Sequence, residues 1–296
     1  MSSVTSAGQR WAAPAEPVHT VPVGADDPVR QDSAQLRFWD PLAEVFGAVY
    51  VGTSPDLPGE RRACVSISVA GRVIEIVEPL GEGTFSGATV DFDPTGRVTV
   101  DHPAVQVELV DTPLFAAAAY APNPLVSAPG RPGGRGQQAC AVEGVVRLDG
   151  DVIAAVGHGV RDRSWGFRSA RASEVESVAL CAVDSSRLVS ATKYRAPDGA
   201  QWVEGFVIDA HGTTAVTGIT VVRDVAAQFR RAHLVSADDV VHTVTMRSRV
   251  GGFWVPTGPA ETRGPARGVY DDFLLLGDGD RCSGGLVEQA TVHRIA

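Results

Sequence analysis

Val145-Val146-Arg147-Leu148-Asp149-Gly150-Asp151-Val152-Ile153-Ala154 reads as two strands joined by a tight turn. Asp-Gly accepts the positive φ angles that a two-residue hairpin needs, and the apolar runs on either side have strand length. The same pattern recurs along the chain. Ala63-Cys64-Val65-Ser66-Ile67-Ser68-Val69 alternates apolar with small or polar residues, turns at Gly71 and resumes as Val73-Ile74-Glu75-Ile76-Val77. Asp198-Gly199 stands between Ala191-Thr192-Lys193-Tyr194 and Gln201-Trp202-Val203-Glu204-Gly205-Phe206-Val207. Pro94-Thr95-Gly96, His211-Gly212 and Gly277-Asp278-Gly279 are further turns. Helical patterns are scarce: Phe115 to Tyr120 is too short, and Val225 to Leu234 suits a short amphipathic helix or another strand. Turns at this spacing predict an all-β chain of barrels or sandwiches.

A chain of 296 residues with 44% hydrophobic content can bury a sizeable core, and its length suggests about two domains. A net charge of -9 with pI near 5.2 argues against nucleic acid as a partner. Lys193 is the sole lysine, a bias that fits a GC-rich genome. No apolar run reaches the length of a membrane span. Residues 1–30 are rich in Ala, Pro and Ser, lack the layout of a secretory signal and read as a disordered tail. The expected location is the cytoplasm. Cys64, Cys140, Cys181 and Cys282 are widely spaced and lie in or beside apolar segments, which suits buried, reduced thiols. The seven histidines lack ligand spacing, so no metal is expected.

Directly after the second strand of the hairpin comes Gly157-His158-Gly159-Val160-Arg161-Asp162-Arg163-Ser164-Trp165-Gly166-Phe167-Arg168. Polar groups at that density need partners, so the segment is either a hydrogen-bonded corner or the floor of a site. Gly-x-Gly-x-Arg-Asp-x-Ser-Trp-Gly-x-Arg resembles the signature of the lipocalin-like (calycin) superfamily that includes carotenoid 1,2-hydratase (hydroxyneurosporene synthase), related bacterial proteins and fungal pericyclases. The bacterial form of the motif has His where Arg163 stands. Leu36-Arg37-Phe38-Trp39-Asp40, Gln137-Gln138 and Glu288-Gln289 extend the likeness. The resemblance implies two tandem lipocalin-like antiparallel β-barrels. It also implies cofactor-independent hydration, cyclisation or pericyclic rearrangement of a lipophilic polyene, isoprenoid or polyketide in secondary metabolism.

Gln137-Gln138-Ala139-Cys140-Ala141-Val142 echoes Glu288-Gln289-Ala290-Thr291-Val292-His293. If both are closing strands, one barrel covers residues 31–150 and the second covers 151–296, with the Pro- and Gly-rich stretch 122–136 a loop or crossover.

If Val160 to Trp165 is extended, Arg161, Arg163 and Trp165 share one face while Asp162 and Ser164 share the other. Asp162 is then a catalytic acid or anchor in a pocket, or a structural partner of an arginine. An acid role needs a held proton, which nearby Arg161, Arg163 and Arg168 oppose. Ser164 lacks the glycine of a nucleophile elbow. Gly81 to Gly87 precedes a strand rather than a phosphate-binding helix, and Gly133-Gly134-Arg135-Gly136 lacks the Lys-Ser/Thr of a P-loop. Trp39, Tyr50, His158, Arg161, Trp165, Trp202, Glu204, Trp254 and Glu288 are the candidate lining for a small hydrophobic molecule, against the alternative that they are core or turn residues. Three functions remain open at this point: an enzyme of cyclase, hydratase or pericyclase type, a carrier for an apolar ligand, and a scaffold.

Overall fold

A computed structural model describes residues 12–19, 24–54, 59–170, 172–256, 266–279 and 281–294. Among them the chain is all-β, with a single short 3₁₀ turn at Ala172–Glu174 and no α-helix. Val225 to Leu234 resolves as a turn followed by a strand.

The first ten strands are β1 (Arg30–Asp40), β2 (Val45–Thr53), β3 (Arg61–Val69), β4 (Arg72–Pro79), β5 (Val90–Asp93), β6 (Arg97–His102), β7 (Val105–Pro113), β8 (Ala118–Ala119), β9 (Gly133–Leu148) and β10 (Asp151–Phe167). They form a half-barrel in the order β4-β3-β2-β1-β10-β9-β7-β6-β5, with β8 beside β9. The other eight are β11 (Glu176–Val183), β12 (Arg187–Arg195), β13 (Gln201–Asp209), β14 (Gly212–Arg223), β15 (Phe229–Ser236), β16 (Val241–Pro256), β17 (Ala266–Asp278) and β18 (Arg281–Arg294). These close into a ring, β18 pairing with β11. Two tandem barrel-like units are therefore present, the first open and the second closed.

The opening hairpin forms as read. Asp149 (φ 53°) and Gly150 (φ 92°) both take positive φ between β9 and β10, the signature of a type I′ turn. Asp198-Gly199 instead sits inside a longer connection between Arg195 and Gln201, closed by Ala196 N–H donating to Ala200 O.

The boundary after residue 150 does not match the strand pairing. β10, which carries the signature, is hydrogen-bonded to β9 on one side and β1 on the other, and the ring begins at Glu176. A hairpin as strong as β9–β10 keeps both arms in one sheet. The internal echo is also not of equivalent strands, since β18 closes the ring whereas β9 lies inside the first sheet.

Strand alternation sorts the core into three parts. Leu36, Phe38, Val49, Ile67, Leu109 and Val142 fill the concave side of the half-barrel. Leu180, Val189, Ala191, Leu234, Leu274 and Leu276 fill the ring. The opposite faces meet in a seam, where Trp39, Phe46 and Val160 pack on Leu188, Phe253, Phe273 and Leu286. Each large side chain buried there stabilises the union by about 1.5–3 kcal/mol.

Residues 12–19, assigned by composition to a disordered tail, are docked in the half-barrel. Val18 packs on its core. Arg163 donates to Glu16 O and Pro17 O, Gln138 donates to Ala12 O, and the His19 ring stacks on Trp165 with centroids 4.0 Å apart. Side-chain donors aimed at backbone carbonyls hold a segment whatever its composition. The rest of the expected tail up to residue 23 lies outside the described residues. Three cysteines are buried as expected, while Cys282 is exposed.

Candidate functional site

A cavity of about 720 Å³ lies between the half-barrel and the outer face of the ring, not inside either unit. β1 contributes Ser33, Gln35 and Arg37, and β10 contributes Asp162 and Ser164. The ring contributes Ser190, Thr192, Tyr194, Glu204, Asp271 and Glu288. Residues 122–134 supply a further wall, and Ala128 N–H and Ser169 N–H bond across to Phe167 O and Val126 O to hold it there. This stretch is thus a cover of the cavity rather than a linker.

Alternation in β10 decides which signature residues reach this space. Arg161 and Arg163 point into the half-barrel. Arg161 Nε lies 2.7 Å from Asp111 Oδ1, and Arg163 Nη2 lies 2.8 Å from Asp32 Oδ1. Asp162 points the other way, so the flanking arginines do not neutralise it. Its guanidinium comes from β9: Arg135 Nε and Nη2 donate to Asp162 Oδ2 at 3.2 and 3.1 Å, and Gln137 Nε2 donates to the same oxygen at 3.0 Å. Arg135 Nη1 also donates to Glu204 Oε1 at 2.7 Å and to the Tyr194 hydroxyl at 2.9 Å. Burial opposes the charge of Arg135, yet Asp162, the two tyrosines and Glu204 outweigh it and hold its pKa well above the ordinary value.

A second cluster sits deeper. Arg37 donates to Glu288 Oε2, and Arg37 Nε lies 3.7 Å from Asp271 Oδ2. Burial works against the Arg37 cation, but Glu288 and Asp271 hold its pKa above the ordinary value. Asp271 is fully buried, and Arg37 and Glu288 are the charged groups that interact with its carboxyl. Burial raises its pKa to about 7, Arg37 pulling it down and Glu288 pushing it up. The site therefore contains a carboxyl that keeps its proton to higher pH than an ordinary aspartate, a group suited to acid catalysis. Around it the tyrosines stay protonated: burial pushes Tyr50 up to about 12 and raises Tyr120 and Tyr194 as well.

Of the residues singled out from sequence, Asp162, Tyr50, Trp165, Glu204 and Glu288 line the cavity. The others do not. Trp39 is wedged in the seam against Gly284, and His158 lies opposite it on the neighbouring strand, half-buried, with burial lowering its pKa. Arg161 is the partner of Asp111. Trp202 is set behind Glu204, to which its indole donates at 3.2 Å, and Trp254 covers Gly268. Aromatic size marks core and cavity alike, so it misled here.

Sequence reading missed Arg37, Arg135, Asp271 and Tyr194. Asp271 had a legible signal, a carboxylate inside the strand-like run Val269 to Leu276. Arg135 was set aside with its glycines, whose role is to bring β9 close to Trp165: a Cβ on Gly134 would lie 2.9 Å from the Trp165 Nε1.

The open half-barrel, the ring and the cavity between them make up a lipocalin-like β-fold of two tandem barrel units. The same fold occurs in an AttH protein from Nitrosomonas europaea, at 14% identity and TM-score 0.61, covering 97% of this chain and 100% of that one. Kievitone hydratase from Nectria haematococca shares it at 11% identity and TM-score 0.56, over 96% and 97% of the two chains. CghA, whose structure is known alone and with Sch210972, shares it at 13% identity and TM-score 0.60 over 96% and 94%. The chain belongs to the family described as domain of unknown function DUF7064, whose model matches residues 15–264. No curated protein sequence matches it. Among the described residues no helix is long and apolar enough to cross a membrane.

Proposed function

We propose that this protein is a cofactor-independent hydratase, cyclase or pericyclase acting on a lipophilic polyene, isoprenoid or polyketide-type molecule held between its two units. The observation that carries this reading is Asp271, a fully buried carboxyl in the cavity wall whose pKa burial raises to about 7. A carrier has no need of such a group. The fold shared with a protein named kievitone hydratase supports the same reading.

In hydration Asp271 gives its proton to one alkene carbon, water adds to the neighbouring cationic carbon, and the proton lost by that water returns to the carboxylate. Nothing is oxidised or reduced. Asp162, already accepting from three donor groups, orients a polar group of the substrate or the attacking water. In cyclisation or a pericyclic step the same walls hold the chain folded and dry, which lowers the entropic part of the barrier.

The test is incubation with a panel of polyenes, isoprenoids and linear polyketides, followed by mass analysis of the recovered ligand. Gain of one water, or unchanged mass with a new retention time, is the expected result. Asp271→Asn should lower turnover by roughly 10²–10⁴, the usual contribution of a positioned acid. Ligand that binds and returns unchanged across the panel would make the protein a carrier.

A further inference from the structure

Among the described residues the Arg168 guanidinium, in the cavity wall, makes no ion pair with a carboxylate. Arg37, Arg131 and Arg135 line the same space and are each paired, with Glu288, Asp27 and Asp162 in turn. Arg168, the last residue of the signature, also lines the cavity, but its guanidinium makes a single long contact among the described residues, Nη2 to Ser164 Oγ at 3.4 Å. Its backbone is tied down separately, the N–H donating to Val29 O at 2.6 Å. Burial lowers the pKa of Arg168 by more than Tyr194 raises it; Arg135 lowers it further, and Tyr50 and Asp162 pull it up more weakly. An arginine does not escape such a place by losing its proton, so its charge needs a counter-ion.

The obvious internal counter-ion is already engaged. Asp162 Oδ2 receives Arg135 twice and Gln137 once, and Arg135 in turn is shared with Glu204. The wall as a whole holds five arginines and four acidic residues, and Asp27 beyond it pairs with Arg131. Ser33, Ser164 and Gly166 beside Arg168 are small and leave room for a ligand group.

We propose that Arg168 anchors an anionic group of the ligand, a carboxylate or a comparable monoanionic oxygen pair, so that the substrate is a lipophile with one acidic end. This rests on the reading of the cavity as a lipophile site and adds its polarity and orientation. The planar fork of a guanidinium matches a carboxylate through two parallel hydrogen bonds, and the pair strengthens where water is excluded. The acidic end would sit by Arg168 and Ser164, and the apolar remainder would extend along the cavity towards Leu286 and Val269. A single free guanidinium suits one negative charge and not a diphosphate.

The experiment uses the full chain with cis-parinaric acid, a polyene fatty acid that fluoresces on binding, and its methyl ester. The acid is expected to bind at least about ten-fold more tightly than the ester. Arg168→Met should remove that preference by weakening the acid alone, and Arg168→Lys should keep part of it. Equal affinity for acid and ester in the unaltered protein overturns the anchor while leaving the lipophile site standing, and this comparison needs no variant to fold. An acid preference that survives Arg168→Met also overturns it. Binding of neither probe removes the lipophile site and the anchor together.

Discussion

Arg135 Nη1 lies 2.7 Å from Glu204 Oε1, and this pair ties the half-barrel to the ring across the roof of the cavity. Because the same guanidinium also holds Asp162, its loss leaves two partly buried carboxylates uncompensated. Arg135→Met is therefore expected to cost on the order of 3–5 kcal/mol, the range for breaking a buried pair from one side. Asp162→Asn should cost less, about 1–3 kcal/mol, since Arg135 keeps Glu204 and Tyr194. Chemical denaturation of both variants checks the order. A larger loss for Asp162→Asn would mean that Asp162, not Arg135, is the hub.

The Asp271 carboxyl ties stability to pH in a direction opposite to the usual aspartate. Its folded pKa of about 7 exceeds the unfolded value of ~3.9, so the folded state keeps the proton longer. The stability it contributes is present in full below about pH 4 and is lost as the pH rises through about 7. Asp271→Asn removes the titration while keeping the shape, so the fall in Tm from about pH 5 to about pH 8 should be shallower in the variant. An unchanged profile would assign the titration elsewhere, with Asp111, raised to about 6 by burial, the next group to examine.

Gly284 is the point where the ring admits the first sheet. A Cβ placed there would lie 1.7 Å from Trp39 Cδ1, a contact with no room to relax inside the packed seam. Gly284→Ala should destabilise by about 1–3 kcal/mol or more. Trp39→Leu combined with Gly284→Ala should lose less than the two single changes added together, because both act at one contact. Strict additivity in thermal melts would separate them.

The thiols offer a test of which surfaces are covered. Burial pushes Cys64 up to about 11 and Cys181 up to about 12, and it raises Cys140 too. Cys282 is exposed. Native protein treated with a thiol reagent at neutral pH should label at Cys282 alone, and denatured protein should label at all four. Rapid native labelling of Cys181, which borders the cavity, would show that the cavity opens to the reagent.

What the amino-acid order determined by itself was local. Period-two alternation set the strands and Asp149-Gly150 set the long hairpin; opposite faces for Asp162 and its flanking arginines followed only if the segment was extended, and the structure supplied that condition. The signature also pointed to the fold of two tandem barrel units that the chain shares with solved structures. Which residues meet was decided only by tertiary structure. Arg37 and Glu288 are 251 positions apart, and Arg135 and Glu204 are 69 apart. Both pairings exist because one face of an open sheet packs on the outside of a closed ring. No local propensity encodes that contact, which depends on how two finished apolar surfaces fit. The same packing turned Trp39 from an expected cavity residue into a wedge, and it left Arg168 facing the cavity without an ion-paired carboxylate among the described residues.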